Sequence, residues 1–244
     1  MISIVMPAHN EEGYLEPAVR AVVGGLRGRG HPFEVIIAEN GSTDRTGEEM
    51  SLLASTYPEV SMLRLPEANY GAALRAGFLA ATGDIVVNFD VDFVDLAFVA
   101  EAIRHIDAED AAMVVGSKRA PGSVDRRGAV RRAVTAVFSL ILRYGFSLRV
   151  SDTHGMKAMR RERVEPFVRA SRLGQDVFDT EVVLRLERAG LPVVEIPVTV
   201  EELRPARTPI WLRIPRSLFR LFQLRIQLWR EKPDSAGGAQ RTID

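Results

Sequence analysis

Ile85-Val86-Val87-Asn88-Phe89-Asp90-Val91-Asp92 reads as a buried strand that ends in two carboxylates. A short apolar run rich in β-branched residues suits a strand covered on both faces. Its closing Asp-x-Asp sets hard oxygen ligands at the strand's carboxyl end, which is where open α/β sheets bind ligands. Mg²⁺ or Mn²⁺ is commonly held by one or two carboxylates together with substrate phosphates, so Asp90 and Asp92 are candidate metal ligands.

The same rhythm extends outward from this strand. Upstream, residues 70–81 have helical spacing and stop before Gly83. Residues 60–65 are a strand, and a helix capped by Ser42 or Thr43 runs to about residue 56. Residues 33–38 form a buried-type strand. Residues 14–26 form a helix on Leu15, Val19, Val22, Val23 and Leu26, and Ile2 to Met6 is a first strand ended by Pro7. Downstream, a helix over 96–106 leads to a strand over 111–115. Such βαβ repetition predicts an α/β fold, with a Rossmann-like, mostly parallel sheet flanked by helices on both faces.

After Gly116 the pattern changes. A basic loop over 118–128 precedes an amphipathic helix over 130–144, a short strand over 155–159, a helix over 178–189 and a strand over 193–198. Residues 205–229 mix arginine with large apolar side chains, and Pro215 is expected to divide them into two amphipathic helices. The polar tail 233–244 is expected to be disordered.

The chain has 244 residues, 46% of them hydrophobic, and no cysteine. It can therefore bury a core, while a disulfide scaffold, Cys-ligated zinc and thiol catalysis are excluded. No run reaches the roughly 18 apolar residues of a membrane span. The N-terminus reaches Pro7 without the basic region of a signal peptide, so the expected location is cytoplasmic. A net charge of zero hides a polarity: residues 1–112 hold 18 acids and 7 arginines, the remainder 14 acids and 25 basic residues. An acidic half suits a metal, and a basic half suits phosphate or anionic lipid. From Leu203 to Lys232, eight basic residues stand against one acid, interleaved with Trp211, Phe219, Phe222 and Trp229. That is the pattern of helices lying on the inner face of a membrane; the alternatives are covering the protein's own core or pairing across a dimer. Nucleic acid is not an expected partner, and the oligomeric state is left open.

Three further segments gather at the same sheet edge: Pro7-Ala8-His9-Asn10-Glu11-Glu12, Glu39-Asn40-Gly41-Ser42-Thr43-Asp44 and Asn69-Tyr70-Gly71-Ala72-Ala73. Glu39 ends its strand where an acid can accept hydrogen bonds from a ribose or base. His9 and His154 stand alone, outside any metal-ligand spacing.

In this order and spacing, the four segments resemble the successive blocks of family-2 inverting glycosyltransferases with the GT-A fold. The resemblance is closest over about residues 2–116. It continues more weakly through Gly116-Ser117-Lys118, Asp152-Thr153-His154-Gly155-Met156-Lys157, Phe178-Asp179-Thr180-Glu181 and Glu195-Ile196-Pro197-Val198, which are similar to the dolichol- or polyprenol-phosphate hexosyltransferase branch. The resemblance implies a nucleotide-sugar pocket drawn from Pro7, Ala8, His9, Glu11, Glu39, Gly71, Asp90, Val91, Lys118 and Arg204, with Asp90 and Asp92 on Mg²⁺ or Mn²⁺. Glu39-Asn40 stands where the family usually has Asp-Asp, Phe93 where that branch often has Gln, and Arg207 in place of a late Ser-Lys. The implied activity is metal-dependent, inverting transfer of a hexose from a GDP- or UDP-linked sugar to a polyprenyl phosphate at the cytoplasmic membrane face. The alternatives are the same chemistry on a soluble hydroxyl acceptor, and a non-catalytic nucleotide-sugar-binding protein. A hydroxyl acceptor would need a base, for which Asp152, Asp179 and Glu181 are candidates; each also reads as a loop cap (Asp152) or a dipole-favoured helix start (Asp179, Glu181). The implied layout is a GT-A domain over 1–203, with a nucleotide-sugar half 1–116 and an acceptor half 117–203, followed by basic helices over 204–232 and the tail.

Overall fold

The computed structural model describes residues 1–201 and 210–231. The chain divides into two compact units, Met1–Arg207 and Thr208–Asp244. In the first unit the strands are β1 (Ile2–Ala8), β2 (Phe33–Asn40), β3 (Val60–Leu65), β4 (Ile85–Asn88), β5 (Met113–Ser117), β6 (Val124–Asp125), β7 (Lys157–Arg160), β8 (Val193–Pro197) and β9 (Thr199–Val200). The helices are α1 (Leu15–Arg27), α2 (Thr46–Thr56), α3 (Tyr70–Ala80), α4 (Leu96–Ala108), α5 (Ala129–Phe146), α6 (Arg161–Ala170) and α7 (Phe178–Arg188). Seven strands form one sheet in the order β3-β2-β1-β4-β7-β5-β8, and β6 pairs with β9 apart from it. Every pairing in the large sheet is parallel except those of β7, which runs antiparallel to both β4 and β5.

Alternation along β1 explains the two covered faces. Ile2, Ile4 and Met6 join Leu15, Val19, Val22 and Leu26 of α1 and Phe98 and Ile106 of α4 in one buried cluster. Each such side chain contributes about 1.5–3 kcal/mol through its burial. Val5 points the other way, and the missing side chain of Gly77 lets α3 close onto it.

Several expectations are corrected. β1 does not stop at Pro7. The Val5 carbonyl accepts the Phe89 N–H at 3.0 Å, so its alternate, Pro7, also faces β4. The missing proline N–H ends that ladder alone, while pairing with β2 runs on to Ala8 and Glu39. Neither Ser42 nor Thr43 caps α2. Asp44 Oδ1 instead accepts the Thr46 N–H at 3.0 Å, and Ser42 Oγ accepts the Asn10 N–H at 3.0 Å. Helix α6 was not anticipated, because Pro166 lies inside it.

In the second unit, α8 (Ile210–Arg230) is one helix, not two, and passes through Pro215. Pro215 is its sixth residue, as Pro166 is the sixth of α6, so the missing N–H removes one hydrogen bond just beyond the first turn. Phe219, Phe222 and Trp229 of α8 are exposed. Among the described residues no helix is long and apolar enough to cross a membrane. The tail 233–244 lies outside the described residues.

Candidate functional site

The Asp90 turn is tight. The Phe93 N–H donates to the Asp90 carbonyl at 2.9 Å, which places Asp90 and Asp92 on either side of the buried Val91. Tyr70, the first residue of α3, donates its hydroxyl to Asp90 Oδ1 at 2.8 Å. Burial pushes Asp90 up to about 6; the Tyr70 hydrogen bond works against this, and the charges of Asp92 and Asp179 add to it. Burial and the neighbouring Asp90 charge raise Tyr70 well above the usual phenol range, so it remains a donor. Two hard carboxylates that disfavour sharing negative charge are a donor set that fits Mg²⁺ or Mn²⁺. Among the described residues no cluster of three or more His, Cys, Asp or Glu could cage an ion. A divalent cation here would complete its shell with substrate phosphates and water.

The neighbouring strand ends are tied into a ledge. Pro7 and Ala8 are buried at the end of β1. Asn40 Nδ2 donates to the Ala8 carbonyl at 3.0 Å, and Asn40 Oδ1 accepts the Asn69 N–H at 3.0 Å. The Asn40 carbonyl lies 2.8 Å from His9 Nδ1. Glu39 Oε1 accepts the Ser42 N–H at 2.5 Å across Gly41, whose φ of +64° demands glycine. The Glu11 N–H donates to Thr46 Oγ1 at 2.7 Å. Asn69 caps α3 through the Ala72 N–H at 3.0 Å and also accepts the Gln175 N–H at 2.8 Å. A Cβ on Gly71 would stand 2.6 Å from that same Gln175 nitrogen, so glycine is what lets the 3₁₀ turn Gln175–Val177 close over the start of α3. Sequence reasoning missed the roles of Tyr70, Asn40 and Asn69 as ties; only the asparagine directly before α3 carried a signal, as a helix cap.

Beside the turn lies a cleft of about 150 Å³. Asp90, Asp92 and Phe93 line it together with Lys118, Arg127 and Arg131. Lys118 Nζ is held 3.2 Å from Asp152 Oδ2, while Asp152 Oδ1 accepts the His154 N–H at 3.0 Å. Burial works to raise Asp152, but the Lys118 charge and that N–H outweigh it and hold the carboxyl below its usual range. Asp152 therefore braces a cleft cation and has both oxygens engaged. Glu181 is engaged as well. It is fully buried, accepts the Arg172 and Leu173 N–H groups, and holds the Arg185 guanidinium at 2.8 Å, so it is a strut for the loop before α7. Asp179 is placed differently. Its Oδ1 lies 3.1 Å from Lys157 Nζ in a buried ion pair, and its charge is felt at Asp90. Lys157 Nζ also donates to the Gly155 carbonyl at 2.7 Å. Arg204 and Arg207 lie outside the described residues.

The glycosyl transferase family 2 profile matches residues 3–166. Glycosyltransferase AglD of Haloferax volcanii is 34% identical over 208 residues, covering 82% of this chain and 33% of that protein. This chain thus spans a third of the length of that relative. Dolichyl-phosphate beta-glucosyltransferase ALG5A of Trichomonas vaginalis is 27% identical, covering 86% of this chain and 68% of that protein. Among solved structures, glucosyl-3-phosphoglycerate synthase of Mycobacterium tuberculosis, in complex with Mn²⁺, uridine diphosphate and phosphoglyceric acid, matches with a TM-score of 0.64 at 22% identity. That match covers 93% of this chain and 78% of the other and shows the shared fold. With the profile running from β1 through the carboxylate turn and across β7, this chain belongs to glycosyltransferase family 2 and has the GT-A fold.

Proposed function

We propose that this chain transfers a hexose from a GDP- or UDP-linked sugar to a polyprenyl phosphate at the cytoplasmic face of a membrane, using Mg²⁺ or Mn²⁺ and inverting the anomeric carbon. One observation carries the reading: a single cleft sets Asp90 and Asp92 against Lys118, Arg127 and Arg131. The acids suit a cation-bound diphosphate, and the cations suit anionic groups on leaving group and acceptor. The dolichyl-phosphate transferase among the relatives supports such an acceptor.

An acceptor phosphate is already anionic near neutral pH and needs no base to attack. That accords with Asp152 and Glu181 being engaged in hydrogen bonds. When bound, the divalent ion supplies Lewis-acid neutralisation of the leaving diphosphate. The chain's own groups do the positioning. Tyr70 orients Asp90, Asp152 holds Lys118, and Asp125 holds Arg127 through a contact at 2.7 Å. Cations fixed in advance stabilise charge without reorganising as it builds up. The ledge bearing Glu39 would take the ribose or base. Attack from the face opposite the diphosphate inverts the anomeric carbon through an oxocarbenium-like transition state, by analogy with other glycosyl transfers.

A second reading, a hydroxyl acceptor with Asp179 as base, is favoured by one feature: the buried Asp179 Oδ1 meets Lys157 without hydrogen-bond geometry. An acceptor screen decides between the two. GDP- and UDP-hexoses are offered with Mn²⁺ and either undecaprenyl phosphate in detergent or soluble polyols and glycans, and product anomers are assigned by NMR. The expected result is an inverted lipid-phosphate product. Transfer only to hydroxyl acceptors, or retention of configuration, would overturn the first reading.

A further inference from the structure

Helix α5 presents an apolar stripe to solvent on the unit that carries the cleft. Val130, Val137, Leu140 and Tyr144 are 66%, 57%, 50% and 80% exposed, and Ala133 between them is exposed as well. Their spacing of three and four residues puts all five on one face of the helix. The opposite side is anchored. Leu142 is buried, the Phe138 ring packs edge-on against His154 at 5.1 Å, and Ser139 Oγ donates to the Ser151 carbonyl at 2.6 Å. The exposed stripe is apolar surface held outward by a fixed inner face, and contiguous exposed apolar surface of this kind marks an interaction site.

Charge identifies what covers it. From residue 126 to 151 the chain has six arginines and no aspartate or glutamate. Arg132 and Arg143 are both exposed and stand eleven residues apart, three turns along the same flank of the stripe. A second copy of α5 laid on this face would bring arginine against arginine with no acid in the helix to relieve the repulsion. An anionic lipid surface meets both features at once: the stripe enters the acyl boundary while the guanidiniums remain among the headgroups. The N-terminal end of the same helix carries Arg131, which lines the cleft. A helix lying in the membrane plane would thus hold the cleft beside the headgroup layer, where a polyprenyl phosphate presents its phosphate.

We infer that α5 is a membrane-docking face: the Val130, Ala133, Val137, Leu140 and Tyr144 stripe inserts into an anionic bilayer surface, with Arg132 and Arg143 at the headgroups. The inference deepens the proposed function and rests on its lipid-phosphate acceptor. It concerns a surface apart from the basic segment after residue 203, which the sequence had pointed to.

The test uses full-length protein and flotation on vesicles of phosphatidylglycerol and phosphatidylcholine, with no donor or acceptor present. Val137→Glu/Leu140→Glu is expected to cut vesicle partitioning at least tenfold, leaving the melting temperature and Mn²⁺-dependent nucleotide binding unchanged, because both positions are exposed and outside the cleft. Arg132→Gln/Arg143→Gln is expected to weaken binding and flatten its salt dependence. With the glutamate pair, transfer to undecaprenyl phosphate in vesicles should fall at least tenfold while transfer to a short prenyl phosphate in solution persists. Unchanged flotation of the glutamate pair would overturn the inference, as would a lipid-free dimer of the wild type that those substitutions abolish. Wild-type flotation that depends on α5, with no transfer to a prenyl phosphate of either length, would sustain the docking face and overturn the acceptor reading separately.

Discussion

Asp90 sits where two demands conflict: burial favours its neutral form, and the divalent cation of the proposed mechanism would need its charge. At pH values below about 6 the metal-free carboxyl holds a proton that a cation must displace. Mn²⁺ affinity should therefore fall by up to about tenfold per pH unit below that point and level off above it, as read by calorimetry between pH 5 and 7.5. The sign for stability follows from the same shift. The folded value lies above the ordinary 3.8, so protonation favours the folded state, and this contribution is lost as pH rises through about 6. Mn²⁺ should accordingly raise the melting temperature more at pH 7.5 than at pH 5. Tyr70→Phe removes the hydroxyl that supports the charged form. It should weaken Mn²⁺ binding by about 1 kcal/mol with little change in the melt of the metal-free protein; equal Mn²⁺ affinity in the two proteins would remove Tyr70 from the site. Asp90 and Asp92 were legible in the sequence because two acids close an apolar strand. Tyr70, Asn40 and Asn69 were not, because their partners lie 20, 29 and 106 residues away and only folding brings them together.

At the level of elements, buried charges join the strands to the helices. Lys157 opens β7 and pairs with Asp179 of α7, both essentially shut off from solvent. Lys157→Met leaves Asp179 as a lone buried carboxylate and should cost about 3–5 kcal/mol in urea unfolding, whereas adding Asp179→Asn to it should restore most of the loss. Glu181→Gln should lower stability by about 1–3 kcal/mol, because buried N–H groups and Arg185 lose a charged acceptor. Turnover of the folded fraction should be unchanged, and a collapse of kcat in fully folded Glu181→Gln would show that Glu181 acts as a catalytic group. From β1 to β4 the elements were legible within a few residues, because apolar runs and polar edges alternate there without ambiguity. β7 was blurred by its four-residue length and its buried lysine. α6 was hidden by Pro166 and by Arg161, Glu162, Arg163, Glu165 and Arg169, which leave little apolar periodicity. Pro215 misled in the opposite direction, since a proline so near a helix start removes too little to break it.

For the whole molecule, the carboxylate turn, the ledge and the cleft all belong to the first compact unit. A chain ending at residue 207 is therefore expected to bind Mn²⁺ with UDP or GDP within about threefold of the full chain, with calorimetry as the measure. Loss of nucleotide binding on that truncation would show that the second unit completes the site. The division at residue 116, suggested by the change of rhythm there, does not correspond to a break in the sheet, because strands from both sides of it alternate within one ladder. β7 is the wedge between β4 and β5 and is translated long after both. While the ribosome is still making α5, β4 has a bare edge and β5 has no neighbour on either side. The nascent chain must keep a slot open at the middle of its sheet, the kind of exposed edge that invites association with other chains. Productive folding of this enzyme thus waits on the emergence of residues 157–160 and then of β8, and a fragment released at residue 116 is an aggregation hazard rather than a miniature nucleotide-binding domain.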